Sequence, residues 1–585
     1  MASRRQFVRS AAATCASALT VSCISSRALE AKPISPESNL NARIATGKNV
    51  VATVHPIASK AAIEMYRQGG NAIDAAVAAV LCLGVVDGHN SGMGGGCLVL
   101  IRSKSGQIHA IDGREKAPQA SSPSLYVKDG KPSVELSQTG PLAVGVPSQI
   151  AALHLAHRKL GLLDWSALFQ PAIEAATEGF MIGDATHNSI ASELKNLMKF
   201  SASKSVLLTA DGGPLTLGDR LRQPDLANTL TQLANNGPDW FYRGEFAMRC
   251  TEYLQGIGGV ITKHDFANYT AVERPPIDSK YRKFRILGFP TPSSGGIHIA
   301  QMLNILDNFD VAQIYRNSRV KFFHLLAESM KLAFADRAHW LGDSDFIKVP
   351  SFLTDPAYAS SLAKKIDLDK ASLVPGHGTA VPTDDNKKHT THMTAADASG
   401  NWVAITSTVN TSWGSKVMVP GTGVMLNNQM DDFSIAPGVP NAFGLVGSDA
   451  NAVAPNKRPL SSMSPSIVLG EDGKPFMTCG AAGGPKIINA TLQNIVRCID
   501  LGETIDQAIA SARVHHQWRP DLLYIESRLA NVEKAGSEEL VHRLTVMGHT
   551  IKAINSIAIA QGIQSTSEGL IAASDPRTDS SAMCL

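Results

Sequence analysis

Two stretches of alternating polar and apolar residues, separated by turn-forming residues, predict a β-hairpin in the second half of the chain. The alternation runs from Thr390 to Ala396 and resumes from Trp402 to Asn410, and turn residues fill Asp397 to Asn401. A period of two is the pattern of a strand, and Asp, Ser, Gly and Asn are typical of turns. We therefore expect the two strands to pair in antiparallel fashion.

The register of this hairpin brings three polar side chains together. A turn centred near Ser399 sets Thr390 opposite Thr408, and such a cross-strand pair places two hydroxyls within contact distance. Asn410 lies two residues beyond Thr408 and projects from the same strand face. Threonine is also common in strands on propensity alone, so the hairpin by itself is more typical of a structural role.

Residues Pro56 to Val86 carry the signals of two helices. The first helix is predicted to stop at Gly69 and Gly70, and Asn71 followed by Asp74 three residues later marks the start of the second. The second helix is rich in alanine, so we expect it to pack closely against its neighbours.

A glycine run, Gly92 and Gly94 to Gly96, precedes a second predicted hairpin with strands Cys97 to Arg102 and Gln107 to Asp112. A nucleotide-binding glycine loop follows a strand and opens a helix, whereas here the order is reversed. We therefore reject a phosphate loop and expect these glycines to let backbone segments pass close to a site. Arg114 follows the hairpin, and a guanidinium is suited to bind a carboxylate, although an arginine at a strand end is usually a solvated surface charge.

The rest of the chain gives coarser predictions. Between Leu160 and Ala380 we expect mostly helices without evident chemistry. The stretch from Ala371 to Lys388 is rich in Pro, Gly, Asp and Lys, and predicts an exposed linker. A long irregular stretch follows Ser434, and loops of more than about 12 to 15 residues are usually functional or disordered.

Composition excludes some classes of partner. The chain of 585 residues carries 54 Lys plus Arg against 51 Asp plus Glu. This near-neutral balance gives no footprint for nucleic acid or for an anionic membrane surface. No stretch reaches the roughly 20 apolar residues needed to span a bilayer. Small molecules are therefore the expected partners.

The amino terminus resembles a bacterial twin-arginine export signal. Paired arginines within Ser3 to Arg9 precede a weakly apolar segment, and we place cleavage after Ala28. A lipoprotein cysteine at Cys23 lacks the usual Leu three residues before it, and a plain basic tail is the other alternative. The mature protein is expected in the periplasm or secreted.

Neither the cysteines nor the histidines predict a metal site. Cys15 and Cys23 would leave with the export signal, and the other six cysteines are widely spaced without a CxxC pair, which indicates buried or free thiols. His389 and His392 would point to opposite faces of a strand and have no nearby carboxylate or Cys. We expect no metal and no cofactor.

Thr390 has the chemistry of a self-generated nucleophile. A threonine hydroxyl attacks well only when a base takes its proton, and one solution is a threonine whose own free α-amino group is that base. An interior threonine has no amine, so the peptide bond between His389 and Thr390 would first have to break. The run TTH, followed by TSTVNTSWG and LNNQMDDFS, resembles the γ-glutamyltransferase (γ-glutamyl transpeptidase) family of N-terminal nucleophile hydrolases, which cut themselves before the first threonine of that run.

The resemblance extends from about Gly47 to Arg577 and implies a fold. That fold is α/β (α+β), a four-layer αββα sandwich formed jointly by two subunits of one precursor. With the export signal at residues 1–28, the large subunit would span 29–389 and the small, catalytic subunit 390–585.

The resemblance also implies roles for individual residues. Thr390 would be the nucleophile, Thr408 would orient its amine, and the backbone N–H groups of Gly483 and Gly484 would hold the oxyanion. The α-ammonium group of the donor would meet Asp432, helped by Asn410 and Gln429. The α-carboxylate would meet Arg114, Ser461 and Ser462 from an opposite wall.

Some positions depart from the family pattern. The residue that gates the lid is often Tyr, and here it is Phe443, which lacks the hydroxyl that could latch the lid. Ala481 and Ala482 stand where Ser-Pro is more usual, although the Gly pair is intact. His515 and His516 are predicted to lie on a helix as packed or surface residues.

The implied reaction is transfer of a γ-glutamyl group. Glutathione or another γ-glutamyl compound would acylate Thr390, and water, an amino acid or a peptide would accept the acyl group. One alternative is a related acylase acting on glutaryl or cephalosporin side chains, which lack the α-ammonium. Another is an exported, uncut binding protein, which would give one band on a denaturing gel where the enzyme gives two.

Overall fold

The computed structural model describes residues 41–375, 389–436, 438–531 and 537–585. Its centre is a pair of seven-stranded antiparallel sheets. The first sheet has the order Ser581–Cys584, Val50–Thr53, Thr391–Ala396, Trp402–Thr408, Gly96–Arg102, Ile108–Gly113, Val272–Arg274. The second has the order Arg43–Gly47, Gly569–Ser574, Ile559–Thr566, Pro475–Ala482, Ser466–Leu469, Phe284–Gly288, Ile277–Tyr281.

Alternation along the strands builds the layers. Val51 and Val99 face a buried cluster that includes the helices Pro56–Arg67 and Ala72–Val86. Their neighbours Val50, Leu98 and Leu100 face the other way, into a cluster shared with the second sheet. Helices including Gly295–Leu306, Arg319–Trp340 and Lys486–Asp500 cover the far face of that sheet. The expected αββα sandwich is confirmed.

The remaining elements surround this core. The other α-helices of the described residues are Val134–Gln138, Gln149–Leu160, Gln170–Glu178, Asp184–Leu197, Ser201–Leu207, Pro224–Asn236, Pro238–Tyr242, Glu245–Gly256, Lys263–Ala267, Val311–Asn317, Pro356–Ala363, Ile505–Ala510, Ser527–Asn531 and Ser537–Val546. A three-stranded sheet contains Val514–His515, Leu523–Glu526 and Ile551–Ile554. Two-stranded ribbons pair Val127–Lys128 with Lys131–Pro132 and Phe180–Met181 with Arg220–Leu221. No described helix has the length and apolar character needed to cross a bilayer.

Several local predictions are confirmed. The Asn71 side chain accepts from the backbone of Asp74, whose carboxylate accepts from the Asn71 N–H, so a reciprocal capping box starts the second helix. Thr391 pairs with Ser407, the register that a turn centred at Ser399 requires. A Cβ on Gly95 would lie 2.0 Å from the Thr408 carbonyl oxygen, so the close backbone passage expected there is real.

The helix predicted for His515 and His516 is wrong. His515 lies in the short strand Val514–His515, and both side chains are buried. Asn489 donates its side-chain amide to the His516 carbonyl at 3.0 Å, so a helix packed against this segment supplies its partner. The predicted export signal, and the linker from residue 376 to Lys388, lie outside the described residues.

Candidate active site

The hairpin brings Thr390 and Thr408 together, as predicted. Thr390 immediately precedes the strand Thr391–Ala396, and its Oγ1 lies 3.0 Å from Oγ1 of Thr408. The backbone N–H of Asn410 donates to the Thr408 hydroxyl oxygen at 2.8 Å. Thr408 is therefore held by its own strand end in a position to hydrogen-bond with Thr390.

The backbone at Thr390 is strained. Its φ is +87°, in the left-handed region, which a β-branched side chain disfavours. Such a conformation costs on the order of 1–3 kcal/mol and persists only where surrounding contacts impose it. His389 and Thr390 are both buried. The peptide bond expected to break therefore lies beside a strained residue inside the protein.

One cavity collects nearly all the predicted site residues. Its lining includes Arg114, Thr390, Thr408, Asn410, Gln429, Asp432, Phe443, Ser461, Ser462 and Gly484. Gly483 and His389 are next to lining residues but do not line it. Four further residues line the cavity without having been predicted from the sequence: Leu445, Met463, Pro485 and Ile487. They are ordinary hydrophobic residues or proline, which carry no chemical signal in a sequence.

One part of this cavity offers hydrogen-bond acceptors. The Asp432 carboxylate lies 3.5 Å from the side-chain nitrogen of Gln429. The side-chain oxygen of Gln429 is buried without a hydrogen-bond partner among the described residues. The Asn410 amide nitrogen is engaged with the Asn428 carbonyl at 2.9 Å, so its side-chain oxygen is the group left for a ligand. Acceptors of this kind suit an ammonium group.

Another part offers donors. The Arg114 guanidinium is buried, and its Nε donates to the Pro459 carbonyl at 3.0 Å. The Ser461 hydroxyl oxygen accepts from the Met463 N–H at 3.0 Å. Because that oxygen is already an acceptor, the Ser461 hydroxyl proton is left to donate to a ligand. This combination suits a carboxylate.

The two parts adjoin each other, and the expectation of opposite walls is wrong. Arg114 and Asp432 form a direct ion pair. Burial raises the pKa of Asp432, and the Arg114 charge opposes that rise. The α-ammonium and α-carboxylate of an amino acid share one carbon atom, so adjacent recognition groups are the geometry that such a ligand requires.

Gly483 and Gly484 form a tight turn between the strand Pro475–Ala482 and the helix Lys486–Asp500. Both have positive φ, +132° and +61°, which suits glycine. The helix N-terminus adds a partial positive charge beside the N–H groups of this turn. The turn is therefore suited to stabilise a developing oxyanion.

Phe443 lies at the edge of the cavity. Its ring centroid is 6.0 Å from that of His389, and a Cβ on Gly484 would lie 2.8 Å from its Cδ1 atom. Its carbonyl oxygen accepts from the Gln517 amide at 3.1 Å. The irregular segment predicted after Ser434 thus places an aromatic ring beside His389 and the glycine turn.

One buried group has the composition of a metal site, far along the chain from the threonines. Ligand atoms of His324, Glu328 and His549 all lie within 4.8 Å of one another. His324 Nδ1 lies 2.7 Å from His549 Nε2, and Glu328 accepts from Lys331 Nζ and the Ser372 N–H, both at 3.0 Å. These contacts satisfy each ligand atom without an ion, so the group is best described as a hydrogen-bond network.

Two packed antiparallel sheets between helix layers, with a buried threonine beginning an inner strand, define the class of N-terminal nucleophile hydrolases. A family model for gamma-glutamyltranspeptidase matches residues 58–585. The chain therefore belongs to the γ-glutamyltranspeptidase family and is an enzyme, as its motifs predicted.

Relatives and solved structures agree with this assignment. A glutathione hydrolase proenzyme of Escherichia coli (strain K12) is 41% identical, over 96% of this chain and 97% of that protein. A second, from Bacillus subtilis (strain 168), is 36% identical, over 87% of this chain and 86% of that protein. The structure of Helicobacter pylori gamma-glutamyltranspeptidase superposes with a TM-score of 0.53 at 36% identity, covering 54% of this chain and 91% of that chain. A cephalosporin acylase from Bacillus halodurans superposes with a TM-score of 0.81 at 25% identity, covering 93% and 97%.

Proposed function

We propose that this chain is a self-processing γ-glutamyltransferase and glutathione hydrolase whose nucleophile is Thr390. The main supporting observation is the 3.0 Å contact between the Thr390 and Thr408 hydroxyls. This contact lies in the cavity that is also lined by the ion pair of Arg114 and Asp432. The relatives named as proenzymes support a processed precursor.

Processing consists of an acyl shift followed by hydrolysis. The Thr390 hydroxyl attacks the carbonyl carbon of His389, the C–N bond breaks, and the α-amino nitrogen of Thr390 takes a proton. Water then hydrolyses the ester, which leaves a carboxylate on His389 and restores the hydroxyl. The positive φ of Thr390 favours this step, because breaking the peptide bond releases the strain.

The mature reaction uses the new amine. An α-amino group has a pKa of about 7.7 to 8.0 and acts as a base near neutral pH. It takes the proton of the Thr390 hydroxyl, which attacks the γ-amide carbonyl of the donor. The N–H groups of Gly483 and Gly484 stabilise the oxyanion. The amine of the donor then leaves and carries away the proton that the Thr390 α-amino group had taken. Water, an amino acid or a peptide then takes the γ-glutamyl group from Thr390.

Donor recognition divides between adjacent groups. Asp432, with the side-chain oxygens of Gln429 and Asn410, accepts from the α-ammonium. Arg114, Ser461 and Ser462 donate to the α-carboxylate. Phe443 covers the bound glutamyl group as part of a lid. Glutathione and other γ-glutamyl compounds carry both charges on one carbon.

The finer organisation is also a proposal. Residues 1–28 direct export to the periplasm or out of the cell and are then removed. Cleavage before Thr390 leaves a large subunit, 29–389, and a small subunit, 390–585, as a heterodimer.

A glutaryl or cephalosporin acylase is the second candidate, because the acylase of Bacillus halodurans shares the fold over nearly the whole chain. A glutaryl group has no α-ammonium, so binding it would leave the buried side-chain oxygen of Gln429 without a partner. Unpaired buried polar groups are costly, which favours the γ-glutamyl donor. Rates on γ-glutamyl and glutaryl anilides separate the two candidates.

Replacing the nucleophile tests the proposal. Thr390→Ala is expected to stay a single chain and to lose hydrolysis of a γ-glutamyl anilide, whereas the wild type gives two fragments on a denaturing gel, one with the amino-terminal sequence TTHMTAAD. Thr394→Val is a matched control, because the buried Thr394 hydroxyl has no hydrogen-bond partner among the described residues of its surroundings. A cut Thr390→Ala chain would refute the assignment.

A further inference from the structure

Arg337 is a buried cation next to the candidate site, and no sequence motif marks it. It lies in the last turn of the helix Arg319–Trp340 and is 6% exposed. Its Nε donates to the Ser294 hydroxyl at 3.0 Å, and one terminal nitrogen donates to the Ser462 hydroxyl at 3.2 Å. Both partners are neutral.

Arg337 lies within the electrostatic influence of Asp432 but forms no ion pair with any described carboxylate. No Asp or Glu oxygen among the described residues lies within 4.0 Å of its guanidinium, whereas the nearby buried Arg114 pairs with Asp432. Burying an unpaired charge is expensive, and the carboxyl end of a helix offsets only part of the cost. A buried arginine of this kind is therefore suited to a ligand that brings its own negative charge.

Ser462 connects this charge to the cavity. Its hydroxyl oxygen accepts from Arg337, so its single proton is left to donate elsewhere. Ser462 lines the cavity, and a charged donor polarises the hydroxyl and strengthens its outgoing hydrogen bond. The Ser462 hydroxyl, held by Arg337, is therefore a hydrogen-bond donor in the cavity that is suited to an anion.

We propose that Arg337 is a positioning residue that orients and polarises Ser462 and supplies a second positive charge for the donor's α-carboxylate. Arg337 thereby sets a preference for donors in which that carboxylate is free. This proposal rests on the proposed function and assigns Arg337 no direct contact with the reacting atoms.

The test compares two donors in the processed enzyme. One is a γ-glutamyl anilide, and the other is the same compound with the α-carboxylate replaced by a neutral carboxamide. Arg337→Gln should raise KM for the acid by about tenfold to a hundredfold, as expected for loss of a charge-assisted hydrogen bond, and change kcat much less. KM for the carboxamide should change little, so the preference for the acid shrinks.

Arg337→Lys keeps the charge without the planar fork and should retain more of the preference than Arg337→Gln. If the Gln variant is not processed, the test uses the ratio of the KM values for the two donors in the Lys variant, compared with the same ratio in the wild type. Arg319→Gln, at the exposed start of the same helix, is the control and should match the wild type.

If Arg337→Gln raises KM equally for both donors, the proposal is overturned, because a purely structural role does not distinguish the two donors. A wild-type enzyme that is inactive on both donors would refute the proposed function instead. The two failures are therefore distinguishable.

Discussion

At the scale of single residues, burial decides the charge that each carboxyl group near the cavity carries. Asp432 has an arginine partner, whereas the buried oxygens of Glu115 have no hydrogen-bond partner among the described residues. Burial raises the pKa of Glu115 to about 8, against an ordinary 4.5, and the Arg114 charge at 3.6 Å only partly opposes this. At neutral pH, Glu115 is therefore largely protonated, and Arg114 remains available to an anionic ligand.

Glu115 should give the enzyme a pH-dependent KM. As the pH rises through about 8, the Glu115 carboxylate forms beside Arg114 and competes with the donor's carboxylate, so KM rises. Glu115→Gln stays neutral and should lack this rise relative to the wild type. KM is measured from pH 6 to 9.5 or so for both proteins.

Glu273→Gln serves as the control for that experiment. The pKa of Glu273 is lowered, because hydrogen bonds from Lys159 and His109 outweigh its partial burial, so it carries its charge throughout this range. Its KM profile should follow the wild type. Superimposable profiles of the wild type and Glu115→Gln would contradict the explanation.

At the scale of elements, the ends of three strands and one helix meet at the cavity. Thr390 and Thr408 lie at the open end of the hairpin, and the glycine turn joins the strand Pro475–Ala482 to the helix Lys486–Asp500. Side chains at element ends are held by regular backbone yet face open space. This explains why the chemistry gathers where the regular structure stops.

Gly484→Ala should disable the glycine turn. The added Cβ would lie 2.8 Å from the Phe443 ring at φ +61°, so the turn must shift and its N–H groups lose their alignment. We expect kcat to fall about 10²-fold, as on removal of one oxyanion donor. Steady-state kinetics on cut protein measure this.

Gly473→Ala is the matched control, because Gly473 also has positive φ, +73°, but has nothing within 4 Å of an added Cβ. It should reduce stability slightly and leave kcat unchanged. A kcat of Gly484→Ala as high as that of Gly473→Ala would contradict the role assigned to the glycine turn.

At the scale of the whole molecule, residues on the two sides of Thr390 interleave in both sheets. The strand Val50–Thr53 lies between Ser581–Cys584 and Thr391–Ala396. In the second sheet, Arg43–Gly47 and Phe284–Gly288 flank a run of four strands that all follow Thr390. A cut before Thr390 would therefore sever the backbone without separating the layers.

Cleaved protein should behave as one particle. Both fragments are expected to elute together on gel filtration at the size of the uncut Thr390→Ala protein, and to separate only in denaturant, because their strands share hydrogen bonds and two cores. The fragment 390–585 expressed alone should be insoluble or inactive. Separate elution of the fragments under native conditions would contradict this expectation.

The sequence by itself determined the local features and the chemistry they carry. Alternation predicted the hairpin and its register, Asn71 and Asp74 predicted a helix start, and the ordered motifs pointed to residues most of which line one cavity. These features depend on residues close in sequence, or on motifs that are legible without partners. His515 and His516 were misassigned because burial against a helix, and not local periodicity, sets their conformation.

Only the tertiary structure decided which distant charges meet. Arg114 pairs with Asp432, and Arg337 reaches Ser462, although each pair is far apart in the sequence. Burial of Glu115 likewise depends on the packing around it. The same structure placed the strain at Thr390. Ionisation and strain depend on desolvation and packing, which arise from segments hundreds of residues apart, so no local pattern in the sequence encodes them.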